Sequence, residues 1–143
     1  MWAIPSEGGE PRKLRPGDAV AVDPGGKYLI VQLNESDRTR LVRVPLAEGA
    51  EENVPVAGDY RMYNLPLSPS AVDANGRILI RIMSSQSWFG PAGVLDPRTG
   101  HFAPLTGTFD ADMDSAGWTA DGRVVTLVNN IESDLWRFRP LQR

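Results

Sequence analysis

The chain contains no cysteine and a single histidine, His101. Disulfides, thiolate metal sites and thiol nucleophiles are thereby excluded. His101 opens a short strand-like run away from any carboxylate cluster, so neither a Ser-His-Asp triad nor a His-rich metal site assembles around it. Long apolar runs are missing too. Residues 1–15 carry Pro5, Gly8, Gly9 and Pro11 where a secretory signal would need an apolar stretch, and no segment reads as a membrane span. Charge of one sign is scarce: 15 basic against 18 acidic residues leave a net charge of −3, too mild to draw nucleic acid or another polyion. Phosphate loops, dinucleotide glycine fingerprints and a Gly-x-Ser-x-Gly elbow do not occur. With 143 residues, 41% apolar and 23% charged, the composition is that of a soluble globular chain with one ordinary core. It is compatible with a reducing or an oxidising compartment.

What the chain does have is punctuation. Asp23-Pro24-Gly25-Gly26-Lys27 recurs as Asp73-Ala74-Asn75-Gly76-Arg77 and as Thr119-Ala120-Asp121-Gly122-Arg123, with glycines 50 and then 46 residues apart. Each copy follows small or apolar residues and precedes an apolar run. The spacing falls near the period of a four-stranded propeller blade.

Aligning the copies defines a unit of strand A, Gly turn, strand B, variable loop, strand C, second turn and strand D. The first full copy places these strands at 19–22, 28–33, 40–45 and 53–56, and the second at 70–72, 78–83, 92–95 and 101–105. Proline at an early turn position and glycine where φ is positive make these connections hairpins. No window shows apolar residues at helical spacing without an interrupting Gly or Pro, so helix content is expected to be close to zero. Strand A is small (Ala19, Ala21, Ala71, Ala116, Gly117), as crowding of inner strands around an axis requires. An antiparallel sandwich with regular hairpins is the alternative.

Trp2-Ala3-Ile4-Pro5 aligns with Val42-Arg43-Val44-Pro45 and with Trp136-Arg137-Phe138-Arg139 as strand C. The expected organisation is one all-β unit: strands C and D of a half-blade over 1–16, full blades over 17–58 and 59–107, and a three-stranded blade over 108–143. About thirteen strands make about three antiparallel blades, fewer than the four to eight of a closed ring. The chain therefore reads as the partial, unclosed C-terminal portion of a longer propeller, with neighbouring blades of a parent chain as its first partners and open edges at both ends. Trp136 and Phe138 are expected between blades, buried or half-buried, with Trp2 and Ile4 in the same role at the other end.

The pattern of a small-residue strand, then Asp/Asn-Gly-Lys/Arg, then Ser133-Asp134-Leu135-Trp136 resembles the TolB-like propeller repeats of the WD-repeat-like superfamily, with Ala116-Gly117-Trp118-Thr119-Ala120-Asp121-Gly122-Arg123 the nearest match. The resemblance implies a bacterial protein, periplasmic or cytoplasmic, whose propeller binds a protein, peptide or small ligand. It implies as alternative the gating propeller of a prolyl oligopeptidase-like hydrolase. Thr119 departs from the Asp of the other copies, and the second blade has no aromatic in strand C.

In such a unit the D-to-A and B-to-C connections share one face and the Gly turns the other. The first face gathers Tyr60, Arg61, Tyr63, Trp88 and Phe89, aromatics and a cation on long loops, and these are the candidate partner-binding residues. Asp110, Asp112 and Asp114 alternate in the loop before the last blade and are the one candidate metal site, with calcium the ion their oxygens suit. An EF-hand is rejected, since Ser115 stands where its glycine belongs and Asp121 where its glutamate does. No other cofactor is indicated.

Overall fold

The computed structural model describes residues 1–83, 89–105 and 112–129. These form twelve strands and no helix. β1 (Trp2–Ala3) and β2 (Arg12–Lys13) make a two-stranded ribbon. β3 (Ala19–Val22), β4 (Tyr28–Asn34), β5 (Thr39–Pro45) and β6 (Glu52–Val54) follow as one four-stranded sheet in chain order. A second such sheet consists of β7 (Arg61–Met62), β8 (Ile78–Met83), β9 (Ala92–Leu95) and β10 (Phe102–Pro104), and β11 (Asp112–Trp118) pairs with β12 (Val124–Asn129). Every pairing is antiparallel between strands consecutive in sequence, and all the connections between paired strands except the one from β7 to β8 are too short for a parallel crossover.

The three Gly turns share one construction. Gly26, Gly76 and Gly122 have φ of 65°, 78° and 80°, the left-handed region that costs a Cβ-bearing residue about 1–2 kcal/mol. Each glycine N–H donates to the carbonyl three residues earlier, on Asp23, Asp73 or Thr119. The side chain of that same residue accepts a backbone N–H from Lys27, Arg77 or Arg123 at 3.0, 2.7 and 3.0 Å. Thr119 is thus no functional departure: its hydroxyl does the work of the carboxylate. All three turns border one hollow of about 360 Å³, which places them at the same end of their sheets.

The inner edge of the second sheet differs from the expectation of a strand at 70–72. Only Val72 makes an isolated bridge there, to Ile78, while β7 pairs with the far end of β8 through Arg61 and Met62. The strand is split by a detour over residues 64–70. Gln32, buried in β4, holds that detour: its Nε2 donates to Leu65 O at 3.0 Å and its Oε1 accepts Leu67 N–H at 2.9 Å. Buried backbone amides need partners, and one side-chain amide supplies both.

The two four-stranded sheets share one core. Ala21, Ile30 and Leu41 of the first meet Ala71, Ile78, Ile80 and Leu95 of the second. On its other face the first sheet presents Leu29 and Val44 to Met1 and Leu14 of the ribbon. β11 lies against the second sheet in turn, where Trp118 donates from its backbone to Ser70 O and from its indole to Ala71 O. A Cβ on Gly117 would come within 2.3 Å of Ser70 Oγ, so the small residue there is required by close approach.

Trp2 and Ile4 are corrected by the structure: they are 61% and 68% exposed rather than packed. β1 alternates, with Met1 and Ala3 turned to the first sheet, and no described strand covers the opposite side. β12 repeats this at the other end, with Val124 packed on the core while Val125 and Leu127 are 64% and 58% exposed. Trp136 and Phe138 lie outside the described residues.

Candidate binding face

The ends opposite the Gly turns carry the candidate residues. Tyr60 precedes β7 and tilts against Phe102, ring centroids 5.1 Å apart, which anchors the start of the second sheet. Arg61 stands on β7 itself rather than in a loop, and its side chain is exposed with no ion pair among the described residues. Tyr63 follows, donating its backbone N–H to Arg81 O. Together with Arg38, Asn64 and Met83 these side chains border an open groove of about 680 Å³ between the first and second sheets. Tyr60, Arg61 and Tyr63 are therefore brought together as the sequence suggests.

The opposite wall of that groove is the β4–β5 loop. Glu35 there accepts Arg40 Nε at 2.6 Å and Arg38 Nε at 3.0 Å. Those two guanidinium hydrogen bonds, Arg40 first, hold its carboxyl below the usual glutamate range, and Glu35 raises the Arg38 guanidinium in return. The loop is a tied charge cluster that leaves Asp37 exposed beside it.

Behind Tyr63 lies a second polar node, missed from the sequence. The Arg81 side chain is only 9% exposed, and its guanidinium stacks on the Tyr63 ring at 4.8 Å. It faces Asp112 at 3.9 Å and Asp114 at 3.5 Å, and reaches Asp114 O at 3.3 Å. Asp112 and Asp114 are placed by β11 and not by a loop, which corrects their sequence assignment. Asp112 and Asp114 are two residues apart on β11 and both carboxylates face Arg81; a shift in the β11–β12 register between Met113 and Ser115 leaves Asp114 as the extra residue. Asp112 also accepts the Gly90 N–H at 2.8 Å, and Asp114 accepts from Asn129. Arg81 Nε is the one buried side-chain polar atom without a hydrogen bond among the described residues.

These contacts bear on the calcium reading. Among the described residues no three acidic, His or Cys side chains gather as metal ligands, and the guanidinium of Arg81 already sits against the two carboxylates. Asp110, the third acidic residue of that reading, lies outside the described residues, as does Trp88. Phe89 is described and exposed, and adjoining Gly90 a Cβ would stand 3.3 Å from the Tyr63 ring, so the Phe89 backbone borders the same face.

Arg81 was hidden because Ile78-Leu79-Ile80-Arg81-Ile82-Met83 reads as a strand with one outward cation; nothing local says that β11 will bring carboxylates to it. Gln32 carried a signal, a polar residue within Leu29-Ile30-Val31-Gln32-Leu33, an otherwise unbroken apolar run. No protein-family model matches the chain, and no curated protein does.

Proposed function

We propose that this chain is a non-catalytic binding module, a portion of a TolB-like β-propeller that takes a protein or peptide partner on the face opposite its Gly turns. The observation that carries the reading is the groove between the first and second sheets, which an exposed Arg61, without an ion pair among the described residues, borders together with Tyr60 and Tyr63. Aromatic rings beside a free guanidinium are the side chains that most often anchor interfaces. The rings are fixed from behind, Tyr60 by Phe102 and Tyr63 by Arg81, so little ordering entropy is lost when a partner docks. The lone histidine, His101, stands exposed just before β10 and outside this groove.

Site-specific photocrosslinking in cells that make the protein tests this. A benzoylphenylalanine at Tyr60 or Phe89 should give discrete protein adducts, and one at Ala74 or Ala120 on the Gly-turn side should not. Adducts from the Gly-turn positions alone would overturn the assignment of the face.

A further inference from the structure

We propose that Asn75-Gly76, at the tip of the second Gly turn, is a site of spontaneous covalent modification at which the asparagine converts to aspartate and isoaspartate. Asparagine is among the thermolabile residues of proteins. The chain has six, and only Asn75 is followed by glycine. That neighbour matters because the reaction is an attack of the next residue's backbone nitrogen on the side-chain amide, which a bulky neighbouring side chain obstructs. Glycine has no Cβ to stand in the way.

The structure singles out the same residue. Asn34 Oδ1 accepts from Gln32 and Thr39, Asn53 Oδ1 accepts from Arg40, and Asn129 donates to Asp114, so those amides are held. Asn64 is exposed, but the branched Leu65 follows it. Asn75 is exposed, borders the open hollow at the Gly-turn end, and has a side-chain amide that makes no hydrogen bond among the described residues. Its Cγ can therefore turn toward the Gly76 nitrogen. The Gly76 N–H is donated to Asp73 O at 2.9 Å, so that nitrogen becomes available when the turn opens. Exposed turn tips open at little cost in free energy.

The reaction needs only hydroxide and water. Hydroxide removes the Gly76 amide proton, the nitrogen bonds to Asn75 Cγ, the Cγ–Nδ2 bond breaks, and the leaving nitrogen takes protons from water and departs as ammonia. A cyclic imide results. Water then opens it on either side of the Gly76 nitrogen. Breaking the bond to Cγ leaves an ordinary aspartate, and breaking the bond to the main-chain carbonyl carbon leaves isoaspartate, whose main chain runs through Cβ and Cγ.

The turn accepts one product and rejects the other. An ordinary aspartate before glycine already stands in the third turn as Asp121-Gly122, where glycine keeps a φ of 80° against 78° at Gly76. Isoaspartate instead lengthens the main chain by one carbon, within a span where Asp73 Oδ1 accepts the Asn75 N–H at 2.9 Å and the Arg77 N–H at 2.7 Å. The longer path no longer delivers both donors to one oxygen. Asp73 is only 7% exposed, so the lost bonds leave a buried carboxylate short of partners, which destabilises the fold. Arg77, which bonds Asp73 Oδ2 and lies over the Trp118 ring at 5.3 Å, shifts with it. Trp118 is what fastens β11 to the second sheet.

The intact chain, held folded in mildly alkaline buffer and sampled over time, tests this by mass-spectrometric peptide mapping and by labelling with protein isoaspartyl methyltransferase. The peptide that contains Asn75 should gain the mass of amide-to-acid exchange ahead of those that contain Asn34, Asn53 or Asn64, at a rate proportional to hydroxide. Methyl label should accumulate in it and be lost in Asn75→Gln. Asp121-Gly122 should label more slowly, because its carboxylate is a poor electrophile held by Thr119 and Arg123. The purified isoaspartyl form should unfold at lower urea than the untreated protein, whereas Asn75→Asp should not. Four results would each overturn the proposal: another asparagine converting first, aspartate formed without isoaspartate, an isoaspartyl form as stable as the untreated protein, or an Asn75 amide that survives in the folded chain while the excised peptide converts.

Discussion

Single side chains do much of the positioning in this molecule. Arg81 is the clearest: its stem crosses the second sheet and its guanidinium joins Tyr63 to the carboxylates of β11. Arg81→Ala would leave Asp112 and Asp114 facing each other without a cation. The expected loss is roughly 2–3 kcal/mol, below the 3–5 of a fully buried pair because both carboxylates keep contact with water. Urea unfolding checks this, with Arg98→Ala as control, whose exposed pair with Asp96 should change stability by no more than about 0.5 kcal/mol. Glu35 gives a pH dependence. Its folded carboxyl titrates below the unfolded one, so its contribution is present above pH 4.5 and is lost as pH falls through the folded value. The difference in urea midpoint between the protein and Glu35→Gln should therefore be constant near neutrality and shrink under acid; a difference that grows as pH falls would contradict the assignment.

At the scale of elements, the Gly turns predict a graded response. Gly76→Ala meets two obstacles, a positive φ and the Tyr28 hydroxyl 2.9 Å from the new Cβ, whereas at Gly122 only φ resists. Gly122→Ala should cost about 1 kcal/mol and Gly76→Ala about 2 or more. Equal losses by thermal or urea denaturation would mean that Tyr28 yields freely. These turns were the most legible part of the sequence, because their chemistry is local: an acceptor side chain, a left-handed glycine and a following N–H lie within five residues. The split inner strand was not legible, since Pro66 and Pro69 make residues 64–70 read as a linker, and what brings Arg61 and Met62 into the sheet is the distant end of β8. The bulge at Asp114 escaped for a related reason. Alternating aspartates look like a ligand loop until a partner strand turns two of them toward one arginine.

Among the described residues burial is greatest in the middle and falls toward β1 and β12. β4 is covered by the ribbon on one side and the second sheet on the other, and its residues 29–32 are all buried. Native-state hydrogen exchange should accordingly be slowest at Ile30, Val31 and Ile80 and faster at the amides of β1 and β12. Equal exchange at β4 and at β1 and β12 would contradict a covered central sheet flanked by less covered strands.

Gln32 grips only main-chain atoms of Leu65 and Leu67. Such a grip is blind to which amino acids the detour carries. The path of the groove wall is inherited from β4, whereas the side chains it displays at Asn64, Leu65 and Pro66 are free to drift. A lineage that kept the glutamine could exchange one clientele for another by changing those positions and leave the shape of the groove intact.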